Sequence, residues 1–174
     1  MIVVLIGYMA SGKSTAGKLL AKIMGYDFQD LDDFIEEKEG KSITDIFALK
    51  GEIYFRKLES EYLSELLLEK DGLVLSLGGG TPCYGNNMAT LLSHKKVKTV
   101  YLRASLKALV GRLIHEKEKR PLISHLITEA ELTEFIAKHL FERRTFYEQA
   151  EITVSTDAKT VDTIIEDLLE NLNQ

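Results

Sequence analysis

The sequence is poor in cysteine, proline and tryptophan. One cysteine, Cys83, occurs among 174 residues, and tryptophan is absent. A single cysteine excludes an internal disulfide and a cysteine-rich zinc site, and it fits a reducing compartment. The two prolines, Pro82 and Pro121, form no proline-rich linker. The length and the missing linker predict one domain over residues 1–174.

Long apolar runs and an excess of basic residues are also missing. The apolar start, residues 1–6, is too short for a membrane span and lacks the flanks of a signal peptide. Lys and Arg total 22 against 27 Asp and Glu, a net charge of −5, which disfavours nucleic acid and anionic membranes as partners. With 45% hydrophobic and 28% charged residues, the composition excludes a disordered chain.

Predicted strands and helices alternate along the whole chain. Strand patterns cover residues 2–6, 27–30, 73–77, 97–102 and 151–155, with helical patterns between most of them. This alternation predicts an α/β fold, with a mostly parallel sheet covered by helices on both faces. Residues 116–124 are the least core-like segment, and we expect a mobile flap there rather than a domain boundary.

The strongest motif is a phosphate-binding loop. Residues 7–14, GYMASGKS, match G-x-x-x-x-G-K-[ST] and lie between a predicted strand and a predicted helix, as this loop requires. Its backbone N–H groups can surround a phosphate chain at the helix N-terminus. Lys13 adds positive charge near the β- and γ-phosphates, and the Ser14 hydroxyl can bind Mg²⁺. The loop predicts a nucleoside triphosphate site and differs from the G-x-G-x-x-G of dinucleotide-binding oxidoreductases.

Two further clusters follow predicted strands, at the edge where parallel sheets bind ligands. Asp30 and Asp32 end the second strand, and an extended backbone would direct both carboxylates to one side. One could reach Mg²⁺ through water and the other could accept a hydroxyl proton, but a solvated acidic turn has the same sequence. Gly78, Gly79 and Gly80 either let a ligand approach the backbone closely or form a flexible turn.

Single arginines and histidines carry less information. Arg56, Arg143 and Arg144 lie in predicted helices, where an isolated arginine is usually a solvated surface residue. Arg120 lies in the predicted flap, from which a cation can reach a transferring phosphoryl group. The four histidines lack H-x-x-x-H spacing, which disfavours a metal hydrolase, and we expect each at the surface.

Taken in chain order, the motifs resemble those of the shikimate kinase family. Besides the phosphate loop they are D-x-D at 30–32, G-E-x-x-F-R-x-x-E at 51–59, L-G-G-G at 77–80, R-P-L at 120–122 and R-x-x-x-Y at 143–147. The resemblance covers nearly the whole chain, and the G-E-x-x-F-R and L-G-G-G segments are its most specific parts. It implies transfer of the γ-phosphoryl group of ATP to the 3-hydroxyl of shikimate, a step toward chorismate and the aromatic amino acids.

The resemblance also implies a fold and a cellular setting. Family members have the P-loop nucleoside monophosphate kinase-like three-layer fold, with a five-stranded parallel sheet in the order 2-3-1-4-5 and a mobile lid. In this chain the lid corresponds roughly to residues 113–127. The implied cofactor is Mg²⁺, with ATP as co-substrate and shikimate as the small-molecule partner. We expect a cytoplasmic monomer with neither a nucleic-acid nor a membrane partner.

Position by position, the resemblance implies the functional residues. The implied ATP site consists of Ala10, Ser11, Gly12, Lys13, Ser14, Thr15, Arg112, which stacks on adenine, and Arg120. The implied shikimate site consists of Asp32, Arg56, Gly78, Gly79, Gly80 and Arg143, with the two arginines on the carboxylate. Ser14 is the implied direct Mg²⁺ ligand, and Asp30 reaches the metal through water. The implied catalytic residues are Lys13, Arg120 and Asp32. Asp32 either takes the proton of the substrate hydroxyl or only orients that hydroxyl.

The sequence departs from the family pattern at several positions. The loop interior at residues 8–10 is bulkier than the glycine- or proline-bearing versions. Thr145 replaces a frequent proline, and the shortened spacing after Tyr147 leaves Arg144 as the alternative to Arg143. Residues 156–158 lack an arginine that many members have near adenine. Two other functions stay open: a gluconate kinase-like enzyme of the same fold, and a non-catalytic ATP-binding regulator.

Overall fold

The computed structural model describes residues 1–120 and 122–173, so Pro121 of the R-P-L motif lies outside the described residues. Within these residues, five strands form one parallel sheet in the order β2-β3-β1-β4-β5. The predicted strand order is therefore confirmed. The strands are β1 (Ile2–Ile6), β2 (Asp27–Asp30), β3 (Leu73–Ser76), β4 (Val97–Arg103) and β5 (Ile152–Ser155).

Helices connect the strands and cover the sheet. They are α1 (Lys13–Met24), α2 (Leu31–Glu39), α3 (Ile43–Lys50), α4 (Glu52–Glu69), α5 (Asn87–Ser93), α6 (Leu106–Leu113), α7 (Glu129–Tyr147) and α8 (Val161–Leu172). Short 3-10 turns lie at Thr81–Cys83 and Lys117–Lys119. Among the described residues, no helix combines the length and the apolar character needed to cross a membrane.

The central strand β1 is buried on both of its faces. Ile2, Val4 and Ile6 pack into one hydrophobic cluster, whereas Val3 and Leu5 pack into a second. Successive side chains of a strand point to opposite faces, so the two clusters are the two helix–sheet interfaces. A continuous β-branched and aliphatic run suits such a strand, because neither face meets water. The result is the predicted three-layer arrangement.

Parallel pairing brings three motifs to one edge of the sheet. Leu5 of β1 pairs with Ser76 of β3, and Ser76 in turn pairs with Asp30 of β2. The strands therefore end side by side, and the segments that follow them leave the same edge. These segments are the phosphate loop, the D-x-D residues and the glycine triplet.

The extended geometry predicted for residues 30–32 is wrong. Helix α2 begins at Leu31, and the carboxylate of Asp30 caps it by accepting a hydrogen bond from the N–H of Asp32 at 3.1 Å. Asp32 therefore lies in the first helical turn, and alternation along a strand cannot explain its direction. The physical reason is that an aspartate satisfies a free helical N–H, which favours a helix start over continued strand.

The segment predicted as a lid connects α6 to α7. Ile123 within it is fully buried in the main hydrophobic cluster. The Lys117 ammonium donates to the carbonyls of Leu126 and Ile127, at 3.1 and 3.0 Å. Leu113, at the start of the segment, is buried in the same cluster. The segment is thus held by apolar contacts and by a polar contact close to α7, and Arg120 lies between Lys117 and Ile123 in sequence.

Candidate active site

A cleft of about 490 Å³ opens at the carboxyl edge of the sheet. Most of the predicted site residues line it: Ala10, Ser11, Gly12, Lys13, Ser14, Thr15, Asp30, Asp32, Gly78, Gly79, Arg112 and Arg120. The loop after β5 adds Thr156 and Lys159. The cleft therefore extends from the glycine triplet, past the phosphate loop, to the turn before α8.

Glycine is required at the first position of the phosphate loop. Gly7 has a φ of 147°, and a Cβ there would lie 2.7 Å from the carbonyl oxygen of Leu102. This tight turn lets the chain reverse from β1 into α1. The Lys13 ammonium then lies back across the loop and donates to the carbonyls of Gly7 and Tyr8, both at 2.9 Å.

The charge on Lys13 is poorly solvated. Its pKa is lowered to about 8, chiefly by burial and also by the nearby Arg120 and Arg143, while the carboxylates of Asp30 and Asp32 act in the opposite direction. A buried ammonium with little water around it favours an anion beside it, because a nearby negative charge stabilises the charged form.

Oxygen ligands suited to Mg²⁺ lie beside the lysine. The Ser14 hydroxyl donates to the Asp30 carboxylate at 2.9 Å. The buried hydroxyl of Ser76, paired with Asp30 across the strands, has no hydrogen-bond partner within the described residues. No cluster of three or more His, Cys, Asp or Glu that could hold a metal occurs in residues 1–120 and 122–173. This set fits Mg²⁺, which keeps waters and uses few protein carboxylates together with phosphate oxygens.

Asp32 is an unusual carboxylate. Burial, and after it the neighbouring carboxylates Asp30 and Glu59, raise its pKa to about 7 against the opposing effect of Lys13 and Arg56. A Cβ on Gly78 would lie 3.1 Å from its Oδ1, so this carboxylate packs against the glycine triplet. A group with such a pKa can exchange a proton near neutral pH.

Arg56 approaches the triplet from α4. A Cβ on Gly80 would lie 2.8 Å from both terminal nitrogens of Arg56, so a larger residue there would displace the guanidinium. The guanidinium donates to Glu59 at 2.6 Å and lies 3.9 Å from the ring centroid of Tyr84. It also lines a neighbouring groove of about 560 Å³ together with Tyr84. An ion pair on one side and an aromatic face on the other fix this arginine.

Arg143 approaches the triplet from α7. Its Nη1 would lie 3.1 Å from a Cβ on Gly79, and its guanidinium carbon is 5.9 Å from the ring centroid of Tyr8. The adjacent Arg144 instead pairs with Glu148 at 2.5 Å and is 56% exposed. The structure thus brings Arg143 beside the triplet and leaves Arg144 at the surface.

Two more predicted arginines flank the phosphate loop. Arg112 donates from Nη1 to the carbonyl of Ala10 at 2.8 Å. Arg120, from the segment between α6 and α7, pairs with Glu116 at 2.9 Å. Both line the cleft, so their side chains border the space that a triphosphate would occupy.

Several residues of this region were not singled out by sequence reasoning. Glu59 and Tyr147 belong to the quoted motifs, so the motifs were the available signal. Tyr84 and His139 carry no such signal. The surface position expected for His139 is wrong: it is half-buried and shares a 2.9 Å hydrogen bond with the Tyr8 hydroxyl. A sequence pattern cannot report this contact, because the two residues are 131 positions apart.

The fold and the cleft define a P-loop kinase that acts on a small molecule. The family model for shikimate kinase matches residues 9–173. The chain is 48% identical over 170 residues to a shikimate kinase of Flavobacterium johnsoniae, covering 98% of each chain. The chain belongs to the shikimate kinase family, as the motif resemblance indicates.

Solved structures agree with this assignment. The crystal structure of shikimate kinase from Bacteroides thetaiotaomicron is 34% identical, with a TM-score of 0.90 over 100% of this chain and 99% of that one. The Acinetobacter baumannii shikimate kinase in complex with shikimate is 30% identical, with a TM-score of 0.85 over 99% of this chain and 92% of that one. The similarity therefore extends to the whole architecture.

Proposed function

We propose that the protein transfers the γ-phosphoryl group of ATP to the 3-hydroxyl of shikimate, giving shikimate 3-phosphate and ADP, on the route to chorismate and the aromatic amino acids. The observation that carries the proposal is the approach of Arg56 and Arg143 to adjacent glycines, beside a phosphate-loop cleft. Two guanidinium groups suit a small, rigid, anionic acceptor, since each can bind a carboxylate through a planar fork.

The proposed ATP site is the loop from Ala10 to Thr15. Its backbone N–H groups and Lys13 hold the phosphates, and Arg112 stacks on adenine. Arg120 leaves Glu116 and neutralises charge on the transferring group when the lid closes. Phosphoryl transfer depends mainly on positioning and on such charge neutralisation, so these groups supply most of the catalysis.

Mg²⁺ is the proposed cofactor. Ser14 would hold it directly, and Asp30 would hold it through a water. When bound, the metal would supply positive charge that neutralises the phosphates. The support for this site is the oxygen-rich set described above, in which Ser14 and Asp30 already lie within hydrogen-bond distance of each other.

At the acceptor side, Asp32 binds the substrate hydroxyls. A carboxylate whose pKa is raised to about 7 can accept the proton of the attacking hydroxyl. If the transition state is loose, the attacking hydroxyl need not lose its proton early. The main role of Asp32 is therefore to orient this hydroxyl. Arg56, Arg143 and the backbone of Gly79 hold the other end of shikimate.

We also propose that the protein works as a monomer in the cytoplasm, without nucleic-acid or membrane partners. The net charge of −5 supports the absence of such partners, because both attract basic surfaces. Light scattering on a sizing column tests the oligomeric state. A mass near the 19.6 kDa of one chain supports a monomer, and twice that mass contradicts it.

ADP release from MgATP tests the reaction, with shikimate, gluconate, a nucleoside monophosphate or no acceptor added in parallel. We expect release that depends on shikimate. Lys13→Ala should abolish turnover and keep the fold, whereas Lys18→Ala, on the exposed side of the same helix, should leave both unchanged. Stimulation by gluconate or a nucleotide instead would overturn the acceptor assignment. ATP binding without any stimulation would favour a non-catalytic regulator.

A further inference from the structure

The glycine triplet enters a 3-10 turn in which one hydrogen bond is missing. The N–H of Thr81 donates to the carbonyl of Gly78 at 3.1 Å, and the N–H of Cys83 donates to that of Gly80 at 2.9 Å. The carbonyl between them, of Gly79, would pair with residue 82. That residue is Pro82, which has no N–H to donate.

A tyrosine from a distant helix supplies the missing donor. The hydroxyl of Tyr147, at the end of α7, donates to the carbonyl of Gly79 at 2.6 Å. Tyr147 is 0% exposed, and its ring lies 5.2 Å from that of Tyr101. The Cys83 thiol also approaches this carbonyl, at 3.9 Å, but a thiol is a weak donor, so the phenol supplies the strong hydrogen bond. The pairing therefore compensates for Pro82.

Arg143 lies at the same place: its Nη1 would be 3.1 Å from a Cβ on Gly79, and its guanidinium acts to lower the raised pKa of the Tyr147 phenol. Arg143 lies four residues before Tyr147, so the two side chains share one face of α7. A phenol oxygen donates one hydrogen bond and accepts others, whereas a guanidinium only donates. Because the Tyr147 hydroxyl donates to Gly79, its oxygen can only accept from Arg143.

We infer that Tyr147 is a positioning residue of the acceptor site, whose single hydroxyl orients both Arg143 and the peptide that joins Gly79 to Gly80. Because a trans peptide is planar, a fixed carbonyl at Gly79 also fixes the opposite direction of the N–H of Gly80. One hydroxyl thereby acts both on the arginine proposed for the substrate carboxylate and on the peptide that joins Gly79 to Gly80. This inference rests on the proposed function, because it assigns Arg143 to the acceptor.

Tyr147→Phe tests the role, since it removes the hydroxyl and keeps the ring. We expect the KM for shikimate to rise about tenfold, as for loss of a hydrogen bond to a charged group. The kcat and the KM for ATP should stay within about twofold, because the phosphate loop is untouched. The matched control is Tyr101→Phe, which removes the same group from the neighbouring ring and should change neither constant.

Pro82→Ala provides a rescue experiment. In the double variant Pro82→Ala/Tyr147→Phe, the new N–H of residue 82 can donate to the carbonyl of Gly79. Arg143 still lacks the phenol oxygen of Tyr147. We expect the KM for shikimate of the double variant to fall between those of wild type and Tyr147→Phe. Pro82→Ala alone should resemble wild type. Melting temperatures of all variants show whether each one is folded.

The outcomes separate this inference from the proposed function. A wild-type enzyme that shikimate does not stimulate would contradict both. An active wild type, with a folded Tyr147→Phe whose KM for shikimate stays within about twofold of wild type, would overturn only the positioning role. Loss of folding in both Tyr147→Phe and the double variant would make the hydroxyl a folding requirement, and would equally overturn that role.

Discussion

Ala10 is a strained residue inside the phosphate loop. Its φ is 61°, in the left-handed region that side chains rarely enter. Its carbonyl nevertheless accepts a hydrogen bond from Arg112 at 2.8 Å. The alanine in the bulkier loop interior therefore carries backbone strain, because glycine would adopt this left-handed conformation without steric cost.

Ala10→Gly should stabilise the protein by about 0.5 kcal/mol. The left-handed conformation costs alanine about 1–2 kcal/mol, and the greater freedom of glycine in the unfolded chain offsets roughly half of that gain. Urea unfolding measures the difference. Ala108→Gly, inside helix α6, is the control and should lose about 1 kcal/mol. A comparable loss at position 10 would contradict the strain.

His139 predicts a pH dependence of stability. Burial, together with the nearby Arg143, lowers its pKa from 6.5 to about 4, against the weaker opposite effect of Glu142. Between pH 6.5 and 4 the unfolded chain binds more protons than the folded chain. The stability that depends on a neutral His139 is therefore fully present above pH 6.5, and it falls as the pH drops toward 4. Its 2.9 Å bond to Tyr8 fits a neutral ring.

His139→Gln should lose less stability than wild type on acidification. The urea midpoint, measured at intervals from pH ~7 to ~4, follows this loss. His115→Gln is the control, because His115 is exposed, and its profile should match that of wild type. Parallel profiles for His139→Gln and wild type would show that His139 does not titrate in this window.

Helices α4 and α7 each bring one arginine to the glycine triplet, and each holds it differently. In α7 the support is the tyrosine hydroxyl described above. In α4 it is Glu59, which is 1% exposed and accepts from Arg56 and from the hydroxyl of Thr81, both at 2.6 Å. Glu59 thus ties the helix to the turn that follows the triplet. Helices α4 and α7 thus contribute to one site through side-chain hydrogen bonds to the glycine triplet and to the turn that follows it.

Glu59→Gln should weaken this junction. The amide keeps the shape but loses the charge that holds Arg56, so we expect the KM for shikimate to rise about tenfold and the free energy of unfolding to fall by about 2 kcal/mol. Steady-state kinetics and urea unfolding measure the two effects. Glu61→Gln, an exposed position on the same helix, should change neither. An unchanged KM for shikimate in Glu59→Gln would show that Arg56 needs no ion pair.

At the scale of the whole molecule, the cleft depends on a segment that is only partly anchored. Residues 113–127 carry the buried Ile123, whereas Arg120 nearby forms an ion pair with Glu116, at 2.9 Å. Exposed ion pairs of this kind are weak, so a bound triphosphate can take Arg120 from its carboxylate partner. We propose that the segment is a lid that closes around Ile123.

Hydrogen exchange can test the lid. We expect amide exchange in residues 113–127 to slow at least about tenfold with a non-hydrolysable ATP analogue and Mg²⁺, because closure restricts local opening. Helix α5, outside the cleft, is the internal control and should not change. Equal exchange with and without the analogue would contradict a mobile lid. Arg120→Ala should abolish most of the slowing if its phosphate contact drives closure.

The fold was largely predictable because its signals are local. The apolar run of β1 and the alternation of strand and helix patterns predict a parallel sheet, and the motif resemblance predicts its order. Helix α2 was missed because its acidic first turn, with Asp32 and Asp33, has the composition of a solvated turn. Only the capping bond from Asp32 to Asp30 shows why a helix begins there.

The amino-acid sequence by itself determined the phosphate loop, the family and the identity of most residues of the candidate site, because each depends on short motifs in fixed order. Tertiary structure alone decided which arginine lies beside the triplet, and which side chains hold both arginines. The contacts of Tyr147 with Gly79, of Tyr8 with His139 and of Arg56 with Tyr84 join segments that are far apart in the chain. Such pairings depend on packing and burial, which no local pattern encodes.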